Sequence, residues 1–256
     1  MTNKILTAFF LIATFLGAQT PALRPGEGLT VINHAGEVKE WGNVSALTPM
    51  GNLAKLLWLH LEAEEWESAG VEYRCSGELN GIRCAKKHGR VDLTKSFKED
   101  CNTSFYLWVN LSRERWKKDY KDAGARLRLN NVFGVFLGDR LPKEPALPDK
   151  FGSEWFNDGN LLQASPNLLA SWLARPAQER LLRACRKFLL GFTDFAFGKD
   201  DKWWIKVSVA PTGLQDGQTQ FWVVGSNASN IAVLRLPPGD TEKIAQSRFK
   251  ALLNIK

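Results

Sequence analysis

Residues 51–59, Gly-Asn-Leu-Ala-Lys-Leu-Leu-Trp-Leu, constrain this chain more than any other stretch. Pro49 and Gly51 punctuate a turn, Asn52 has the chemistry of an N-cap, and an apolar helical run follows to about Ala69. Leu53, Leu56, Leu57, Leu59 and Leu61 occupy too many faces for a helix with one side in water. Such a helix belongs at the centre of a fold, with other elements wrapped around it. Lys55 lies inside its first turn, and the i, i+3 spacing puts it on the same side as Asn52. A lysine at the start of a buried helix either snorkels its ammonium to water, the commoner solution, or serves chemistry.

The rest of the chain supplies strands at both ends and helices between. Residues 29–33 and 38–41 read as strands around the turn His34-Ala35-Gly36-Glu37. Helices are expected over 94–101, 103–109 and 113–123, the last ending at Gly124, and residues 130–148 read as a loop-rich region. Asn157 to Pro166 leads into a helix with Leu168, Leu169, Trp172 and Leu173, and 178–190 is a helix with one basic face. Strands follow at 203–209, 220–225 and 231–236, and a helix over 241–253 closes the chain. This order predicts an α+β fold: an antiparallel β-sheet flanked by helices, with a helical subdomain.

The N-terminus reads as a targeting segment. Lys4 precedes the apolar run Ile5–Ala18, and small residues follow at Thr20 and Ala22. Residues 1–22 are therefore expected to be a secretory signal peptide cleaved after Ala18 or Ala22, with an uncleaved anchor as the alternative. Residues 23–28 read as a linker and 29–256 as one domain, exported to the periplasm or cell envelope. Ten tryptophans and fifteen phenylalanines point to a packed globular core. The formal net charge of +7 is scattered, as on a solvated basic surface. There is no Gly-rich phosphate loop and no interleaved basic–aromatic surface, so nucleotide and nucleic-acid partners are not expected.

Export permits disulfides. Cys75 and Cys84 flank the polar turn Ser76–Gly81, and a hairpin turning at Asn80-Gly81 brings them together as the disulfide candidate. In the chain-entropy picture such a bond stabilises by about 3 kcal/mol. The spacing is not Cys-x-x-Cys and His88 is the only nearby imidazole, so a disulfide or two free thiols is expected rather than a metal, and no cofactor is expected.

Taken together, the motifs resemble those of the transpeptidase domain of penicillin-binding proteins and of class D β-lactamases. Gly36-Glu37-Val38 and Trp41-Gly42 are similar to the family's opening hairpin. Met50-Gly51-Asn52-Leu53-Ala54-Lys55 stands where the family has Pro-Gly-Ser-x-x-Lys. Tyr73–Gly77, Cys84, His88-Gly89 and Val91–Leu93 resemble the segment before its Ser-x-Asn motif, and Asp100-Cys101-Asn102 occupies that motif. Gln163–Ala170 resembles its Thr-Pro-x-Gln-Leu-Ala helix, and Pro211-Thr212-Gly213 stands at Lys-Thr-Gly, followed by the strand Phe221–Gly225. The likeness covers nearly all of the chain after the signal segment.

The resemblance implies acyl transfer through a serine ester, yet three chemical positions depart from it. The nucleophilic serine is Asn52, the serine of Ser-x-Asn is Asp100, and the lysine of Lys-Thr-Gly is Pro211; Lys55, Asn102, Thr212 and Gly213 match. An asparagine amide nitrogen, its lone pair delocalised, cannot replace the serine. Asp100 beside Lys55 is expected to form an ion pair that keeps the lysine an ammonium and a poor base. The family's oxyanion donors correspond to the backbone N–H groups of Asn52 and Leu214, and Asn102, Thr212, Gly213 and Leu214 carry over as ligand-binding positions.

Two functional readings follow. The first is an inactive penicillin-binding-protein-like module that binds peptidoglycan stem peptides or an envelope partner protein, with β-lactam binding doubtful. The alternative is a divergent transpeptidase, carboxypeptidase or β-lactamase with another nucleophile, for which Cys101 is the candidate. Ser247 and Lys250 have Ser-x-x-Lys spacing but lie in the last helix, away from the other motifs. His34, His60 and His88 form no set with a serine and an aspartate, and His60 is expected to be a hydrogen-bonded histidine of the core or rim.

Overall fold

The computed structural model describes residues 21–137, 148–157, 161–192, 201–213 and 217–255. In chain order the elements are β1 (Gly28–Asn33), β2 (Val38–Gly42), β3 (Thr48–Pro49), α1 (Ala54–Ser68), β4 (Tyr73–Cys75), β5 (Glu78–Leu79), β6 (Ile82–Arg83) and β7 (Gly89–Val91). Then come α2 (Leu93–Lys98), α3 (Asn102–Leu137), β8 (Gln163–Ala164), α4 (Pro166–Leu173), α5 (Glu179–Leu190), β9 (Trp204–Pro211), β10 (Thr219–Ser226), β11 (Asn230–Leu236) and α6 (Glu242–Leu252). The expected signal segment, apart from its last two residues, lies outside the described residues. Among the described residues no helix is long and apolar enough to cross a membrane.

Five strands form one antiparallel sheet in the order β2-β1-β11-β10-β9, so strands from the two ends of the chain lie side by side. Strand alternation divides the core in two. Ile32, Trp204, Trp222, Val224, Ile231 and Val233 face the helical body built on α1. Leu29, Val31, Val223, Ala232 and Leu234 face the other way and are covered by Ala245 and Phe249 of α6. The α+β architecture expected from the strand–helix–strand order is thus present.

Helix α1 is central, as its all-round apolar run predicts. Leu56, Leu57, Trp58 and Leu59, four consecutive residues, are all buried. Trp58 stacks on Trp116 of α3 with ring centroids 5.8 Å apart and meets Phe133 and Phe151 at 5.0 Å. The buried Glu62 carboxylate joins the same helices. It accepts from Ser112 Oγ at 2.8 Å and Trp116 Nε1 at 2.9 Å, and it pairs with Arg115 and Arg128.

Helix α3 differs from the expected pieces. It runs to Leu137, broken only at Lys121, where φ is 57° and ψ 175°. The break falls ahead of Gly124, which is itself helical. The loop expected from residue 130 is helical through 137, because Leu129, Val132, Phe133, Phe136 and Leu137 make one buried helical stripe. Asn130, Asn131 and Gly134 masked that stripe in the sequence.

Candidate functional site

Four of the motif residues meet at the first turn of α1, and a glycine makes the meeting possible. Gly51 has φ +55°, and a Cβ there would run into the carbonyl of Val209 and into Ala210 on the edge strand β9. A short 3₁₀ turn, Gly51–Leu53, can therefore lie directly against β9. β3 pairs with β8 through Thr48↔Ala164 and Pro49↔Gln163, and Trp222 Nε1 donates to Pro49 O at 3.0 Å, so the turn is held from both sides. Asn52 is not the N-cap expected of it. Leu53 holds that position, without a side-chain cap, and the Asn52 side chain turns to Lys55 instead.

Lys55 does not snorkel. It is completely buried, and its ammonium has three acceptors: Asn102 Oδ1 at 2.7 Å, Asn52 Oδ1 at 2.8 Å and Asp100 Oδ1 at 3.4 Å. The Phe105 ring lies 5.3 Å away, centroid to Nζ. Asn102 is itself fixed, since its Nδ2 donates to Arg83 O at 2.9 Å. Asp100 reaches its position through a left-handed backbone (φ 54°), a conformation that aspartate tolerates better than most residues.

A second lysine, which sequence reasoning did not single out, completes the cluster. Lys206 Nζ lies 2.8 Å from Asp100 Oδ2 and donates to Phe97 O at 2.8 Å. The signal was in the strand alternation: in β9, Trp204, Lys206, Ser208 and Ala210 point inward. A charged residue in an inward register needs a buried partner. Asp100 is that partner, shared between two lysines.

The expected Lys55–Asp100 ion pair is present, but it does not set the protonation of the lysine. Burial pushes Lys55 down to about 8; Asp100 works against this and Lys206 reinforces it. At neutral pH Lys55 remains largely an ammonium, with its protons directed at acceptors. It has no free lone pair with which to act as a base, and Asn52 offers no nucleophile. Asp100, whose side chain is 27% exposed, borders a cavity of about 1000 Å³ that Lys98, Lys202 and Lys206 also line.

The other motif residues are placed less tightly. Thr212 N donates to Gln218 O at 3.0 Å, Gly213 turns the chain with φ 81°, and Gln220 Nε2 donates to Pro211 O at 3.2 Å. Leu214 lies outside the described residues. His60 packs edge-on against Trp172 at 5.5 Å, and its Nδ1 is unpartnered rather than hydrogen-bonded as expected.

Cys101, the alternative nucleophile, is wholly buried and faces away from the Lys55 cluster toward Cys84, with the sulfurs 3.8 Å apart. Its hydrogen bond with Cys84, together with burial, pushes the thiol up to about 12, so it is not an accessible thiolate. The hairpin expected at Asn80-Gly81 is present as β5–β6, with positive φ at both turn residues. It brings Cys75 and Cys84 together, with their sulfurs 3.7 Å apart and both thiols free, the second of the two arrangements expected of them.

This arrangement of sheet, central helix and lysine-bearing turn has counterparts among solved structures. The penicillin-binding protein PonA1 from Mycobacterium tuberculosis superposes with a TM-score of 0.59 at 13% identity, covering 95% of this chain and 79% of the other. Its complex with penicillin V gives 0.61 at 12% identity, covering 93% and 79%. The class D β-lactamase FUS-1 (OXA-85) from Fusobacterium nucleatum subsp. polymorphum gives 0.53 at 13% identity, covering 89% of each chain. The fold is that of penicillin-binding proteins and class D β-lactamases. No protein-family model and no curated protein sequence matches the chain. At such identities the likeness speaks for the penicillin-binding fold, and the chemistry rests on the residues described above.

Proposed function

We propose that this chain is a catalytically inactive member of the penicillin-binding fold, acting as an exported binding or scaffolding module in cell-wall biology. One observation carries the reading: the buried Lys55 ammonium is held by Asn52 Oδ1, Asn102 Oδ1 and Asp100 Oδ1. The position of the nucleophile has become an acceptor for the lysine that would have activated it. Nucleophile and base thus lock each other, and an acyl-enzyme has no oxygen on which to form. Peptidoglycan stem peptides or an envelope partner protein are the ligand classes in keeping with this fold, and the N-terminal apolar segment accords with export.

The test is the intact mass of the folded chain after incubation with a penicillin, beside a heat-unfolded control. No adduct is expected on either. An adduct confined to the folded form would overturn the proposal, and peptide mapping would then name the nucleophile.

A further inference from the structure

Besides Cys75 and Cys84, two further donors converge on the same point. Cys75 ends β4, Cys84 follows β6, His88 precedes β7 and Cys101 leads into α3, and their donor atoms all lie within 4.8 Å of one another. We propose that these four residues form a structural zinc site of the Cys₃His type. The proposal departs from the reading of the sequence spacing, which favoured a disulfide or two free thiols over a metal.

The distances discriminate between an ion and a disulfide. The sulfurs of Cys75 and Cys84 are 3.7 Å apart, those of Cys84 and Cys101 3.8 Å, and Cys75 Sγ is 3.5 Å from His88 Nδ1. A tetrahedral zinc ion, with Zn–S about 2.3 Å and Zn–N about 2.0 Å, places sulfurs about 3.8 Å apart and sulfur and nitrogen about 3.5 Å apart. A disulfide draws two sulfurs to about 2.05 Å and would leave the third cysteine and the imidazole with nothing to bind. The donor set is soft, which selects zinc over calcium or magnesium.

The surroundings are those of a metal site. His88 Nε2 lies 3.1 Å from the carbonyl oxygen of Glu99. A carbonyl only accepts, so Nε2 carries the proton and Nδ1 turns its lone pair toward the sulfurs. Thr103 Oγ1 donates to Cys75 Sγ at 3.2 Å, and Thr103 N donates to Cys84 Sγ at 3.5 Å. Such donors stabilise thiolate charge. On binding, the cysteines release their thiol protons to solvent and the ion takes four bonds.

The site also bears on the cluster around Lys55. Cys101 stands between Asp100 and Asn102, the first residue of α3, both of which accept from Lys55. An ion on Cys101 fastens that segment to the hairpin carrying Cys84, whose neighbour Arg83 accepts from Asn102 through its carbonyl.

The full chain, purified without chelator, is expected to carry about one zinc by elemental mass spectrometry. The reduced, metal-free chain is expected to take up cobalt(II) with thiolate-to-cobalt charge-transfer absorption and strong tetrahedral d–d bands. Cys84→Ser is expected to lower zinc affinity about tenfold or more, while His88→Cys retains the ion. Should the variants not fold, the unmodified chain still decides: zinc release on titrating its thiols with an organomercurial supports the site. A metal-free chain that takes up no cobalt overturns it, as does a Cys75–Cys84 disulfide in peptide maps, or zinc retained undiminished in folded Cys84→Ser.

Discussion

A buried ammonium with three side-chain acceptors is a stable arrangement only because each partner is itself held. Lys55 faces Asn52 on its own turn, Asp100 just ahead of α3 and Asn102 at its first position, with Lys206 and Cys101 as the other charged or ionisable groups close enough to act on it. Its ordinary value of 10.5 applies in the unfolded chain, against about 8 in the fold. Between these values the unfolded chain binds more protons, so stability rises with pH across that window. Relative to Lys55→Met, the native chain is expected to gain up to about 3 kcal/mol between pH 8 and 10.5, with a flat difference below pH 8. Denaturant melts of the two chains at several pH values measure this; parallel profiles would refute it. Asn52 was legible in the sequence as an amide standing where the resemblance has a serine. Its bond to Lys55 was not, because a residue suited to N-capping has equal chemistry for holding an ammonium, and only the path of the turn chooses between them.

At the scale of elements, the contact of the 3₁₀ turn with β9 decides where the site sits. Gly51→Ala introduces a methyl group against the Val209 carbonyl and Ala210 backbone, at a positive φ. The expected loss is about 2–4 kcal/mol, read as a lower denaturation midpoint with an unchanged slope. A change within 0.5 kcal/mol would mean that turn and strand separate easily. The sequence signalled this contact only as Gly51 after Met50, since the strand it touches arrives some 150 residues later. Helix α3 carries the opposite lesson. The stripe Leu129, Val132, Phe133, Phe136 and Leu137 has clear helical spacing, and burial against α1 overrides the weak helix propensity of Asn130, Asn131 and Gly134.

For the whole molecule, the two ends of the described chain close on each other. Glu27 is buried, with Arg24 Nε at 2.7 Å and Arg248 Nη2 of α6 at 2.8 Å, and Arg24 also pairs with Asp240. Burial alone would raise the Glu27 carboxyl, but the hydrogen bonds from Arg248 and Arg24 outweigh it and hold the group below its ordinary value. A depressed folded-state carboxyl contributes stability that is present above its unfolded value and lost as pH falls through the folded one. Glu27→Ala is therefore expected to destabilise by roughly 3 kcal/mol at neutral pH, and the gap to the native chain should narrow on acidification below about pH 4.5. A gap independent of pH would show that Glu27 acts through packing alone.

The sequence by itself determined the order of elements, the inward helix at residues 54–68, the hairpin turning at Asn80-Gly81 and the presence of an asparagine rather than a hydroxyl at position 52. Each is written in periodicity, in turn chemistry or in one residue's identity, all properties of neighbouring positions. Only the tertiary structure decided that Asp100 is shared by Lys55 and Lys206, and that Cys101 and His88 join Cys75 and Cys84. Those groupings draw donors from separate turns and strands. Their spacing along the chain carries no signature, because the distance that matters is set by how the segments pack.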